Sequence, residues 1–143
     1  MSMMKKSSQA SVGHLGIEVS ELKTSRRFYD VLLHQLDCKI ILDTEYATGY
    51  ANQSFQIWLS ESDPPRIMRN PPSGEEEMVA EHLAILVPDQ ETVNAITTVM
   101  MEQGFMPIFP PEEHPQFTPG YYAVSFCDPD NYVIEIYTVP HSS

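Results

Sequence analysis

Two histidines and one glutamate stand out for chemistry because of where they recur. His14 opens the run His14-Leu15-Gly16-Ile17-Glu18-Val19, and His82 opens His82-Leu83-Ala84-Ile85-Leu86-Val87, so the pattern H-L-x-I-x-V repeats after 68 residues (82 − 14). On a strand, alternate residues point to opposite faces. Leu15, Ile17 and Val19 then form one row and His14, Gly16 and Glu18 the other; Leu83, Ile85 and Val87 oppose His82, Ala84 and Leu86 in the same way. In the run from Tyr132 to Val139, Ile134 and Ile136 make the aliphatic row, while Val133, Glu135 and Tyr137 share the histidines' face. A carboxylate so surrounded by apolar neighbours is costly to bury unless a cation or hydrogen bonds satisfy it. Two imidazoles and a carboxylate on one surface make a two-His-one-carboxylate set, suited to a divalent metal with open coordination positions. The other histidines are weaker candidates: His34 ends a helix, His141 lies in the tail, and His114, in the Pro-rich loop 110–119, is the one able to swing over the site.

The elements that must hold these side chains follow from periodicity. Phe28, Val31 and Leu32, then Val93, Ile96 and Met100, have helical spacing, predicting helices over about 22–34 and 90–103. Ser20 and Asp89 stand where N-caps belong, and Gly104 where a helix-ending glycine belongs. Short β-like runs follow each helix: Cys38 to Leu42, Tyr46 to Ala51 and Phe55 to Ser60, then Phe105 to Phe109, Tyr121 to Cys127 and Tyr132 to Val139. Each half is therefore strand, helix, strand, strand, strand. Between the halves, four prolines within Ser62 to Gly74 exclude a helix or a central strand and make an extended linker. Asp128-Pro129-Asp130-Asn131 carries turn chemistry between the last two strands.

The 143 residues, 42% of them hydrophobic, suffice for one domain with a real core. Eight Lys and Arg against 20 Asp and Glu leave a net charge of −12, which repels phosphate backbones and anionic membranes and so excludes nucleic-acid and membrane-surface binding. No apolar run approaches a membrane span, and no hydrophobic stretch follows the basic N-terminus. A cytoplasmic protein is expected, with Cys38 and Cys127 as reduced packing residues, since they lack CxxC spacing.

Two βαβββ halves, each opening on a His-bearing strand, together with Ser25-Arg26-Arg27-Phe28-Tyr29 and the closing Asp128-Pro129-Asp130-Asn131-Tyr132-Val133-Ile134-Glu135, resemble the vicinal oxygen chelate superfamily. Its members include glyoxalase I, extradiol dioxygenases, fosfomycin resistance proteins, methylmalonyl-CoA epimerase and bleomycin resistance proteins. The resemblance covers residues 11–139 and implies an α+β fold: modules 11–61 and 80–139, joined by linker 62–79, forming a cupped, partly open eight-stranded sheet with helices outside. It also implies that metal ligands come from the first and last strand of each module. His14, His82 and Glu135 match three of these places, and Trp58 falls opposite Glu135 at the fourth. Indole has no lone pair for a metal, so three protein ligands are expected, as in the dioxygenase and fosfomycin-transferase pattern. Trp58 either lines the pocket or is ordinary core.

Three ligands leave open positions on Fe, Mn, Zn or Ni, which a small molecule chelating through vicinal oxygens would fill. The resemblance thus implies a metal-dependent enzyme of glyoxalase or dioxygenase type. Gln56, Trp58, Tyr121 or Tyr122, and Tyr137 would shape its pocket, and the register of the adjacent tyrosines decides which one points inward. Without a fourth carboxylate, proton transfer falls to Glu135 or to a loop residue such as His114 or Glu113. A homodimer is expected because such modules pair across chains. Two other members of the superfamily remain open: a fosfomycin-type thiol transferase, disfavoured because no Lys or Arg follows Arg69, and a metal-free drug-binding protein of the bleomycin resistance kind, to which the charge of −12 suits a cationic ligand.

Overall fold

A computed structural model describes residues 9–72, 74 and 81–140; most of the second half of linker 62–79, and His141, lie outside the described residues. The first module runs β1 (Leu15–Val19), α1 (Leu22–His34), β2 (Lys39–Asp43), β3 (Ala47–Ala51) and β4 (Gln56–Glu61). The second runs β5 (His82–Leu86), α2 (Gln90–Glu102), β6 (Phe109–Glu113), β7 (Tyr122–Cys127) and β8 (Val133–Thr138). The eight strands fall into two four-stranded sheets, ordered β1-β4-β3-β2 and β5-β8-β7-β6. In each, the first strand pairs in parallel with the last: Leu15 lies opposite Ile57 in one and Leu83 opposite Ile134 in the other. The repeat seen in sequence is therefore a repeat of register.

Helix α1 has the expected bounds, and α2 stops one residue early. Asp89 caps α2 as its type predicts, its carboxylate accepting from the Thr92 amide at 2.8 Å. Gly104 follows with φ +90°, a left-handed conformation that glycine adopts without the Cβ clash. Ser20 does not cap α1. Glu21 takes the cap position without a side-chain cap bond, because Ser20 is spent elsewhere: its amide and hydroxyl both donate to the Asp130 carboxylate, at 3.0 and 2.6 Å.

The strand expected over Phe105–Phe109 is displaced four residues along, and part of the expected loop 110–119 is strand. Pro110 and Pro111 are tolerated there because β6 is an edge strand and its pairing to β7 slips between Phe109 and Glu112, so neither ring interrupts a continuous ladder. The remaining strands differ from expectation by about one residue at their ends.

The aliphatic rows meet the helices in one core shared by both modules: Ile17, Val19, Phe28 and Leu32 pack in the same cluster as Ile85, Val93, Met100 and Ile134. Phe28 meets Phe105 edge to face at 5.4 Å across the module boundary. A buried polar lock lies alongside. The Tyr29 hydroxyl donates to Asp128 Oδ2 at 2.6 Å, while Asp128 Oδ1 accepts from the amides of Asp130 and Tyr132 at 2.9 and 2.8 Å. Burial pushes the Asp128 carboxyl above its ordinary range, and burial followed by the nearby Asp128 charge pushes the Tyr29 hydroxyl well up. No described helix is long and apolar enough to cross a membrane. Both cysteines are free, and burial raises each thiol to about 11.

Candidate metal centre

In the second module, strand parity places Glu135 as expected. It pairs with Ala84 on β5 and with Ser125 on β7, with the face carrying His82 on one side and Tyr137 along its own strand. Glu135 is 2% exposed, yet among the described residues no Lys or Arg lies within ion-pair reach of it. Its Oε1 accepts a hydrogen bond from the Tyr121 hydroxyl at 2.5 Å. The Tyr121 ring lies nearly parallel to Tyr137, with centroids 4.9 Å apart and planes at 14°. Burial, then the Glu135 carboxylate, drives the Tyr121 hydroxyl far above its ordinary value, so Tyr121 stays protonated and acts as the donor.

His114 packs against the same group of rings. It is stacked on Phe117 at 5.7 Å and meets Tyr121 edge to face at 6.3 Å. At 2% exposure it is held in place rather than free to swing. Gln116 Nε2 lies 3.3 Å from its Nδ1, and its Nε2 has no hydrogen-bond partner among the described residues, Glu112 Oε1 being 3.9 Å away. The ambiguity between the adjacent tyrosines is resolved. Tyr121 faces Glu135, whereas Tyr122 turns to the helix side, where its hydroxyl donates to Asn94 of α2 at 2.7 Å. Tyr122 is therefore removed from the pocket, because β7 residues sharing its parity pack under α2.

The first module repeats this geometry with other side chains. Trp58 pairs with Gly16 and Gly49, the places that Ala84 and Ser125 take around Glu135. Its indole lies 5.2 Å from the His14 ring and donates from Nε1 to Gln56 Oε1 at 3.0 Å. The close approach to β3 depends on Gly49, where a Cβ would sit 3.2 Å from Leu42 Cβ and 3.4 Å from the indole. Glu18, farther along the His14 row, is neutralised by Arg66, whose backbone amide and guanidinium both donate to it and lower its pKa.

The structure thus brings together His14, Trp58 and Gln56 in one half-site, and Glu135, Tyr121, Tyr137 and His114 in another. Among the described residues of a single copy, no three His, Cys, Asp or Glu side chains gather where they could hold a metal. A cleft of about 660 Å³ opens between the modules, lined by Leu15, Gln56 and Ile57 on one side and Leu83, Ala84 and Ile85 on the other. His82, Glu135 and Trp58 are not among its lining residues. The donor set nonetheless fits a divalent ion, since it combines imidazoles with a buried carboxylate that lacks a cation. His34 is the last residue of α1, and Glu113 is exposed at the end of β6. The Tyr121–Glu135 bond was findable in sequence: counting back from the Asp128–Asn131 turn fixes which tyrosine shares Glu135's parity.

Two open four-stranded sheets in register-matched βαβββ modules, each presenting a strand-borne site face, define a metal-chelate type of fold rather than a closed barrel or a doubly wound sheet. The chain belongs to the Glyoxalase/Bleomycin resistance protein/Dioxygenase superfamily, whose family model matches residues 11–136. Among solved structures it is similar to a candidate glyoxalase from Bacillus halodurans (24% identity, 91% of this chain and 96% of that one, TM-score 0.68). It is also similar to the fosfomycin resistance protein FosX from Listeria monocytogenes (16%, 92% and 94%, TM-score 0.68). A third is lactoylglutathione lyase from Agrobacterium tumefaciens (14%, 90% and 93%, TM-score 0.64). A mutant of the Listeria protein was crystallised with Mn(II) and 1S,2S-dihydroxypropylphosphonic acid. No curated protein matches the chain.

Proposed function

We propose that this protein is a divalent-metal-dependent enzyme of glyoxalase or dioxygenase type, acting on a small molecule that chelates the ion through vicinal oxygens. The observation that carries this reading is Glu135: a carboxylate 2% exposed, on the His82 face, with a tyrosine hydroxyl but no cation against it. His82 and Glu135 would hold the ion from one module and His14 from the other. Because one copy keeps these half-sites apart, the proposed site forms between two copies of a homodimer, His14 of one facing His82 and Glu135 of the other. The bound ion would supply Lewis acidity to a substrate oxygen. Gln56, Trp58 and Tyr137 would wall the pocket, and Glu135 and His114 would hold and move the substrate's proton; the buried His114 Nε2 has no other described partner to give up.

The charges oppose an anionic substrate. Arg26 is paired with Asp30 and Asp43, Arg66 with Glu18, and Arg69 with Glu81, so none of these three is free to take a phosphonate. An enediolate, catecholate or hydroxy-ketone, whose charge develops at the ion itself, suits this site better.

The test is complementation between His14→Ala and Glu135→Ala. Each variant alone should bind little metal by elemental analysis. Unfolded and refolded together, they should regain ions, because each mixed dimer then contains one intact site. No recovery from a mixture shown to form mixed dimers would overturn the site between copies. Metal-free wild-type protein would overturn metal dependence and favour a binder of cationic ligands, to which the charge of −12 is suited. For the reaction, the Fe²⁺ protein with catechols, followed by oxygen uptake, is compared with the Zn²⁺ or Ni²⁺ protein given methylglyoxal–glutathione hemithioacetal. Activity in neither sinks both reaction types.

A further inference from the structure

Tyr121 was expected to line the pocket and touch substrate. Its geometry gives it another task. The hydroxyl is committed to Glu135 Oε1 at 2.5 Å, and three rings fix the phenol in that pose: Tyr137 parallel at 4.9 Å, Phe117 edge to face at 5.3 Å and His114 edge to face at 6.3 Å. With one oxygen tied to a donor that keeps its proton, Glu135 has only Oε2 left to offer a cation, and the side chain cannot rotate to present both oxygens without breaking a buried hydrogen bond. We infer that Tyr121 is a positioning residue that makes Glu135 a one-oxygen ligand of set orientation, and that the Phe117–Tyr121–Tyr137 ring group is the brace that holds it. The inference rests on the metal reading above. Its consequence is that ligand geometry is set by residues that touch neither ion nor substrate, so that the brace and not the ligand set tunes metal affinity.

The first module supports this by contrast. Trp58, at the register of Glu135, has its own hydrogen bond satisfied by Gln56 and no brace comparable to Tyr121 on Tyr137. The brace accompanies the carboxylate.

The experiment uses the full chain. Apoprotein of wild type, Tyr121→Phe and Tyr122→Phe is titrated with Mn²⁺ for affinity and with Co²⁺ for its visible absorption bands, which report coordination geometry. Tyr121→Phe keeps the ring stack and loses only the hydroxyl; about 10- to 100-fold weaker Mn²⁺ binding and altered Co²⁺ bands are expected, by the usual effect of removing such a partner. Tyr122→Phe, which loses a hydroxyl on the helix side, should match wild type in both. Tyr137→Leu keeps the hydroxyl but removes the parallel ring, and a smaller loss of affinity is expected; this variant carries the test if Tyr121→Phe does not fold. Wild-type affinity and bands in both Tyr121→Phe and Tyr137→Leu would overturn the positioning role while leaving the metal reading intact. A wild-type protein that takes up no ion would overturn both.

Discussion

The two modules share a backbone and differ in what they do with it. Gly16 and Gly49 flank Trp58 as Ala84 and Ser125 flank Glu135, yet the first place holds a satisfied indole against His14 and the second a buried carboxylate held by a phenol. Register alone therefore does not make a ligand: the same position serves as wall in one copy and donor in the other, and the surrounding side chains differ to match. Glycine at position 49 makes room for a flat ring, whereas the rings of Tyr121, Tyr137 and Phe117 crowd around Glu135.

The largest effect should come from breaking the donor side of that contrast. Glu135→Ala is expected to lower metal affinity by on the order of 100-fold or more, beyond what loss of a supporting residue causes, with Trp58→Ala changing it far less. Trp58→Glu sharpens the comparison, because a carboxylate placed at the equivalent register should tighten binding by adding a fourth ligand. Equilibrium dialysis against Mn²⁺ reads all three. Equal losses from Glu135→Ala and Trp58→Ala would mean that the modules are not specialised.

A second effect concerns the joint between the modules. Asp128→Ala leaves the Tyr29 hydroxyl and the amides of Asp130 and Tyr132 without their acceptor, and roughly 3 kcal/mol of stability should be lost. Tyr29→Phe, which removes one donor and leaves the carboxylate its amides, should cost about 1 kcal/mol. The pH dependence has a definite sign. Burial raises Asp128 above its unfolded value of 3.8, so its protonated form is favoured in the fold and its contribution fades as pH rises through the raised value. Urea melts should show Asp128 favouring the fold more as pH falls from about 7 to about 5, and Asp128→Asn should remove that gain. Glu18 and Glu81 act in the opposite sense: both are lowered below the ordinary 4.5 by Arg66 and Arg69, and their contribution is lost only at still lower pH. A pH profile unchanged by Asp128→Asn would count against the lock.

What the sequence revealed and what it hid separate along the same line. Parity and the H-L-x-I-x-V repeat located both helices, the faces of His14, His82 and Glu135, and the equivalence of Trp58 to Glu135, because those features depend on local periodicity. Ser20 was misassigned as a cap because its real partner, Asp130, lies 110 residues away, and no local pattern carries that information. The β6 strand was hidden because Pro110 and Pro111 argue against a strand until the sheet order shows it to be an edge. Asp128-Pro129-Asp130-Asn131 was legible as a turn, and Asn131 adopts φ +66° as such a turn allows, but its second duty toward Tyr29 and Ser20 appears only in three dimensions.

The smallest expected effect tests the first module's half of the contrast. Trp58 is the only tryptophan in the chain, so its fluorescence has no competing source, and its indole lies 5.2 Å from the His14 ring. If His14 contributes to the proposed ion site, Cu²⁺ or Co²⁺ added to apoprotein must bind beside that indole and quench it, while Zn²⁺, with its filled d shell, should leave the emission nearly unchanged. His14→Ala should abolish the quenching although His82 and Glu135 remain, and Glu135→Ala should abolish it from the opposite module, because the ion is then no longer held. The two losses have different meanings. Loss in Glu135→Ala alone, with His14→Ala quenched as strongly as wild type, would place the ion near Trp58 without His14 as a ligand. Unquenched emission in wild-type protein shown by dialysis to hold Cu²⁺ would put the ion away from the first module, and the pairing of half-sites between copies would fall with it.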